Sequence, residues 1–430
     1  MLANTRRFGP YSVYLTLAFV YGLATATIFT VNLLYEFEIA KLSPLQLVLV
    51  GTVLETSYFL CQVPTGALAD LYSRRLSVIL GVVIIGLGFV LEGLVPNFWV
   101  IAGSMVFYGV GATFMSGAQE AWLADELGEE HVGRTFLRAS QAGGIGSTLG
   151  ALLSVALASI RLNLPVVIGG VLLVLLGLLL ILVMPENCFQ PASSEGRHSW
   201  HKLGNTIQAG FRTAWISPTL LLILGVGLCF GLASEGVDRL SQPHLQSDFN
   251  IPALGSFAPI VWFGLIAVLG NLLVVGVSEL VRRCLKLDDQ RVLIRVLMAL
   301  NVLGILSLLA FAFASNFYLA VFAFWCVSIS REVKEPLYTT WLTRNSPARE
   351  RATLISFAGQ MDALGQIAGG PPIGYLGTVT SLRVALASAS IILAPVLLLY
   401  AAALRRMRGK APAPIADEDA EAANHWAKGS

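Results

Sequence analysis

Long apolar runs separated by short polar turns recur along almost the whole chain. The first begins near Pro10, and others cover about Leu45–Leu68, Leu76–Val95, Phe98–Trp122, Ala139–Ile160 and Leu164–Met184. A polar stretch, Pro185–Arg212, carries Pro, Ser, Glu, Arg, His and Lys and cannot lie in lipid. Six more runs follow, at about Ile216–Leu240, Leu254–Leu280, Val292–Ala314, Phe317–Leu342, Thr353–Leu376 and Val384–Leu404. Each is close to the ~20 residues a helix needs to cross a bilayer. The pattern predicts an all-α membrane protein of twelve transmembrane helices. An N-terminal six-helix bundle is expected over 1–184, a cytoplasmic linker over 185–212 and a C-terminal six-helix bundle over 213–404. The tail, 405–430, is basic, then Ala/Pro-rich, then acidic, and is expected to be disordered. No small-residue cleavage site follows the first run, which therefore reads as a retained span.

Composition agrees with this plan. The chain is 56% hydrophobic and 13% charged, against about 25% charged in soluble proteins. The distribution of charge then sets an orientation. Of the 28 Lys and Arg, only Lys41, Arg161 and Arg383 fall in outer loops, and Arg239, Arg331 and Lys334 fall within spans. The others lie at the N-terminus, in the even-to-odd loops and in the tail. Basic loops resist translocation, so both termini are expected in the cytoplasm, in a multi-pass protein of the cell inner (plasma) membrane. The five cysteines show no CxxC spacing, which implies neither a disulfide framework nor a metal site. No G-x-x-x-x-G-K-[ST] loop suggests ATP, and no H-E-x-x-H suggests an intramembrane metalloenzyme; the five histidines are assigned to loops or the tail. We expect no enzyme activity, no cofactor and no nucleic-acid partner.

One short turn stands out. Gly66–Arg75 reads GALADLYSRR and packs a carboxylate, a serine and two arginines between the second and third spans. The spacing G-x-L-A-D-x-x-x-R-R resembles the signature loop of the major facilitator superfamily. That pattern usually has a basic residue after the Asp and a Gly before the first Arg, where this chain has Leu71 and Ser73. The resemblance covers about residues 10–405. It implies two pseudo-symmetric six-helix bundles with substrate handled between them, and alternating access about a midplane site. It also implies a cytoplasmic gate made by Gly66, Asp70, Arg74 and Arg75, in which Asp70 braces the start of span eleven. The two halves echo each other. Gly276, Glu279 and Arg282-Arg283 follow the eighth span as Gly66, Asp70 and Arg74-Arg75 follow the second. Glu120 before Arg134 is matched by Glu335 before Arg351.

Charges within spans are costly and usually face a cavity or a partner. Span ten carries Arg331, Glu332, Lys334, Glu335 and Tyr338; all but Glu332 share one helical face. Span seven carries Glu235, Asp238 and Arg239, with Glu235 and Arg239 spaced to pair and all three placed toward the outer face as a possible gate. Glu120 lies in span four, Glu36 and Glu38 at the outer end of span one, Glu55 in span two and Asp362 in span eleven. Spans one, four, seven and ten line the cavity in the family this chain resembles. Apart from Glu55 and Asp362, interior charges are expected to avoid the other spans. A carboxylate in an apolar cavity can load and release a proton, which makes Glu120 and Glu335 candidates for proton coupling or substrate contact. The structural alternative is a self-neutralising cluster that fixes helix packing.

Glycines in span five (Gly143–Gly150) and span eleven (Gly365–Gly377) read as helix-packing positions. Proton-driven drug exporters often carry a Gly-Pro motif in span five; here Ser147 follows Gly146, and Gly370-Pro371 appears in span eleven. We expect a secondary transporter driven by the proton gradient, exporting hydrophobic or cationic small molecules by antiport through an aromatic pathway of Phe114, Trp122, Trp325, Tyr338 and Trp341. A symporter importing an organic anion or nutrient, held by Arg331 and Lys334, is the first alternative. A non-transporting receptor or lipid-handling scaffold is the second. Nothing requires more than a monomer.

Overall fold

The computed structural model describes residues 9–189, 215, 217–252, 261–284, 289–347 and 351–409. The predicted linker beyond Phe189 and the tail beyond Gly409 lie outside the described residues. Twelve helical segments follow one another among them. The N-terminal set is α1 (Pro10–Glu38, interrupted at Thr30-Val31), α2 (Pro44–Leu71), α3 (Arg74–Leu94), α4 (Phe98–Leu127, interrupted at Ser116-Gly117), α5 (Glu129–Ala158) and α6 (Leu164–Val183). The C-terminal set is α7 (Pro218–Ser247), α8 (Val261–Cys284), α9 (Gln290–Ala312), α10 (Phe317–Arg344), α11 (Arg351–Val379) and α12 (Leu382–Gly409).

Helix ends follow from side chains the sequence displays. Ser43 and Gln46 form a reciprocal capping box at α2. Ser73, Asn97, Ser217, Asp289 and Asn316 each accept a backbone N–H at the starts of α3, α4, α7, α9 and α10. The predicted spans are right in number and short in extent. The polar ends of α5 and α7, which an apolar window trims away, stay helical because their backbone hydrogen bonds are satisfied within the helix wherever the side chains lie.

Ten of the twelve helices are long and apolar enough to cross a membrane by composition; α10 and α11 are the exceptions. α10 concentrates Arg331, Glu332, Lys334 and Glu335, so it must be shielded by neighbours rather than by lipid. Large apolar side chains such as Leu182, Leu272, Val275 and Leu398 are exposed along other helices, as a lipid-facing surface requires.

Packing repeats between the halves. α1 packs on α5 and α6, α3 on α4 and α6, and α2 on α4; the same pairs recur as α7 on α11 and α12, α9 on α10 and α12, and α8 on α10. Small residues permit the closest approaches. A Cβ on Gly146 or Gly150 would strike the α1 backbone at Phe19 or Leu23, and one on Gly365 or Gly369 would strike the α7 backbone at Leu228 or Leu232.

The two bundles meet at one end. Gly370 and Gly374 of α11 lie against Val48 of α2, and the Leu45 N–H donates to Thr378 Oγ1 at 2.9 Å. Gly264 of α8 meets Val155 of α5. Gln246 of α7 donates to Glu38 of α1. One apolar core joins Val31, Leu34, Val48 and Ala158 to Val237, Leu240 and Ile373 across this seam. At the opposite end, which carries the α2–α3 turn, a cavity separates Tyr58, Phe59 and Gln62 of α2 from Ile355, Ser356 and Gly359 of α11. The molecule is sealed at its Pro44 end and parted at its Asp70 end.

Candidate functional site: a charged cavity in the C-terminal bundle

A cavity of about 200 Å³ opens between α7, α9, α10, α11 and α12. It gathers Arg331, Lys334 and Glu335 of α10, which the helical spacing placed on one face, together with Glu332, which that spacing set apart, Asp238 from α7 and Asp362 from α11. Phe230 of α7, Asn301 of α9 and Gln366 of α11 complete its wall.

Each charge has a different partner. Arg331 grips Asp238 with both terminal guanidinium nitrogens, one at 2.8 Å, and so fastens α10 to α7. Such fork-to-fork pairs fix orientation as well as charge. Arg331 shares a helical face with Glu335 but turns to Asp238 of α7, which offers a planar bidentate acceptor. Lys334 is nearly buried, at 8% exposure, and its Nζ lies 2.9 Å from the centroid of the Phe230 ring. Among the described residues no carboxylate stands within ion-pair distance of it. A ring face attracts a cation, though less than a carboxylate would. Asp362 Oδ2 accepts from the Gln366 amide at 2.7 Å, and neither Asp362 nor Glu335 has an ion-pair partner among the described residues. Pro336 has no N–H to donate to the Glu332 carbonyl, which loosens α10 beside the cavity.

The other candidates fall elsewhere. Tyr338 points away from the cavity into the core, donating its hydroxyl to the Ile223 carbonyl at 2.9 Å. One further helical turn carries it past the cavity to the α7 backbone, where Gly227 makes room. Trp122 and Trp341 are also core residues, at 1% and 0% exposure. Trp122 donates to the Pro185 carbonyl and Trp341 packs at a tilt against the Tyr400 ring. They do not form the expected aromatic pathway; Phe230, which the spacing of charges did not single out, is the aromatic residue at the charged cavity. Glu120 lies in the first turn after the α4 interruption, where Gly117 adopts φ 77°. It lines a separate cavity of about 520 Å³ among α1, α4 and α5, with Oε1 bonded to Gln119 and Oε2 buried without a partner. Glu120 and Glu335 therefore face two different cavities, one per bundle.

Glu235 and Arg239 form the predicted pair, at 3.0 Å and nearly buried. They sit where α7 meets α2: a Cβ on Gly51 would collide with both side chains. Two expectations fail here. Glu92 of α3 is fully buried, so interior charge does reach span three; a lone Glu near a span end carried no signal of its depth. His244 is not in a loop but fully buried in α7, with Nδ1 2.7 Å from Asp248 and Nε2 3.1 Å from the Phe311 carbonyl. The apolar window ended span seven before it.

The α2–α3 turn is tied inward to the N-terminal bundle. Arg74 bonds Asp70 at 3.3 Å, Asp125 and the Ala121 carbonyl. Ser73 caps α3 and donates to Glu186 at 2.7 Å, and the Arg75 N–H donates to the same carboxylate at 3.0 Å. The departure Ser73 thus supplies both a cap and an anchor. Asp70 is exposed and makes no bond to α11 among the described residues, because the bundles are parted at this end. Gly66 has nothing within 4 Å of its would-be Cβ. The last turns of α8 carry a similar arrangement, with Glu279 gripped by Arg282 at 2.7 Å and by Arg283.

Two helical bundles joined at one end, parted at the other and enclosing buried charge define a polytopic membrane transporter rather than an enzyme. A family model, Major Facilitator Superfamily, matches residues 14–287, and the chain belongs to that family. It is similar to an uncharacterised MFS-type transporter, YxaM, of Bacillus subtilis (strain 168), with 22% identity over 90% of this chain and 94% of the relative. Its fold is similar to that of the nucleoside transporter NupG (TM-score 0.72, 15% identity, covering 92% of this chain and 99% of that one). It is likewise similar to a bacterial homologue of the human lysosomal transporter Spinster in an inward-facing, unoccupied conformation (TM-score 0.72, 16% identity, 94% and 98%).

Proposed function

We propose that this transporter works by alternating access and couples the inward flow of protons to the export of hydrophobic or cationic small molecules. One observation carries the reading. With Asp238 and Arg331 neutralising each other, the cavity sets three carboxylates, Glu332, Glu335 and Asp362, against one ammonium, Lys334. Such a surplus of negative charge favours cations and protons over anions. Phe230 adds an apolar, quadrupolar face. Glu335 and Asp362 are the groups we assign to proton coupling, because neither is committed to a basic partner. With the Asp70 end in the cytoplasm, as the basic loops argue, the conformation described is open inward.

Lys334 supports a second reading. A nearly buried ammonium without a carboxylate partner is a place where an organic anion can bind, and symport would follow.

Proteoliposome flux separates the two. Under an imposed pH gradient, wild-type protein is expected to move cationic dyes against the proton flow. Glu335→Gln should abolish the coupled movement, and Lys334→Glu should leave it. Organic anion movement together with protons, lost in Lys334→Glu, would replace export with symport.

A further inference from the structure

A second group of charges lies outside the cavity, at the sealed end of the N-terminal bundle. Glu36 of α1 and Glu92 of α3 are both 0% exposed, and Asn32 beside them is 1% exposed. The Asn32 amide donates to Glu36 Oε1 at 2.7 Å and lies against Glu92 as well. Ser104 of α4 donates to Glu92 Oε2 at 2.6 Å. Three acceptor oxygens in this group are buried with no partner: Asn32 Oδ1, Glu36 Oε2 and Glu92 Oε1.

Two ionised carboxylates cannot share such a place. An isolated buried carboxylate is strongly disfavoured, and a second one beside it compounds the cost. Arg239 of α7 lies across the seam, and it is committed to Glu235 at 3.0 Å. Glu55 of α2 faces the same Glu235–Arg239 pair and adds negative charge. Tyr35 offers no relief, since its hydroxyl donates to the Glu92 backbone carbonyl at 2.7 Å. A proton on one carboxyl changes the balance, turning one orphan acceptor into a donor that faces the others and removing one negative charge.

We propose that Glu36 and Glu92 form a fully buried proton site, a carboxyl pair beside Asn32 that holds one proton between them. The inference rests on the proton-coupled reading above and deepens it. The pair lies on the N-terminal side of the seam, and Arg239 lies on the C-terminal side within electrostatic reach of Glu36. The pair would take up a proton when that end is open and hold it while the end is sealed, as it is in the conformation described.

Infrared difference spectroscopy on purified protein in sodium-free buffer tests this without any transported substrate. Wild-type protein at neutral pH should show a protonated carboxyl band that the Glu36→Gln/Glu92→Gln double variant lacks, with a loss of one carboxyl per molecule. Asn32→Ala, which keeps both carboxyls, should retain the band at a shifted frequency. No loss in the double variant, or a loss of two carboxyls, would overturn the shared proton. Disappearance of the wild-type band on adding sodium would assign the three oxygens to a metal cation instead. Because the band is read without flux, its absence would leave the export reading to its own dye assay.

Discussion

Arg239 and Glu235 have 11% and 5% of their side chains exposed, a depth at which neither charge is stable alone. Removing one partner of a buried pair typically costs about 3–5 kcal/mol, whereas replacing both by apolar groups is often neutral. Arg239→Met should therefore lower the midpoint of heat-induced aggregation in detergent, and Glu235→Leu/Arg239→Met should recover most of the loss. Equal loss in the double variant would mean that the pair's geometry, and not its charge balance, holds the seam. Gly51 belongs to the same unit, since any side chain there displaces both partners. The spacing of Glu235 and Arg239 revealed the pair. Its contact with Gly51 joins residues far apart in sequence, so no local pattern announces it.

Glycines that look alike in sequence do different work in the helices. Gly365 and Gly369 let α11 ride on the α7 backbone, and a Cβ at either would overlap the Leu228 or Leu232 carbonyl. Gly66, in the signature turn, borders open space in this conformation. Gly365→Val is expected to destabilise the fold and reduce the yield of monodisperse protein. Gly66→Val should leave thermal stability unchanged and slow transport, because α2 and α11 must close on it when the opposite end opens. Equal stability loss in both variants would show Gly66 to be packed in the resting state. α4 and α1 carry interruptions that the apolar pattern did not show. At α4 the break needs Gly117 at φ 77°, which a side chain would resist, and it aims Glu120 into its cavity from a fresh helix start.

For the whole molecule, the seam between α2 and α11 decides which end is open. Val48 and Gly374 face each other across it, with Cβ positions in contact. In a background lacking the five native cysteines, V48C/G374C should form a disulfide under oxidation, arrest transport and regain it on reduction. Unimpaired transport after complete crosslinking would show that this end stays closed throughout the cycle.

Twelve helices, two repeated halves, the signature turn and the charges of α10 were all legible in the sequence. Each is a local matter of apolar length, spacing or capping, and lipid demands that every spanning segment satisfy its own backbone. What the tertiary structure decided is which charges meet. It paired Arg331 with Asp238 of another helix. It separated Glu120 from Glu335, sent Tyr338, Trp122 and Trp341 into the core, and buried Glu36 with Glu92. The reason is physical. The partner of a buried charge is chosen by distance in space across helices from different parts of the chain, and the sequence specifies that distance only after the helices have packed.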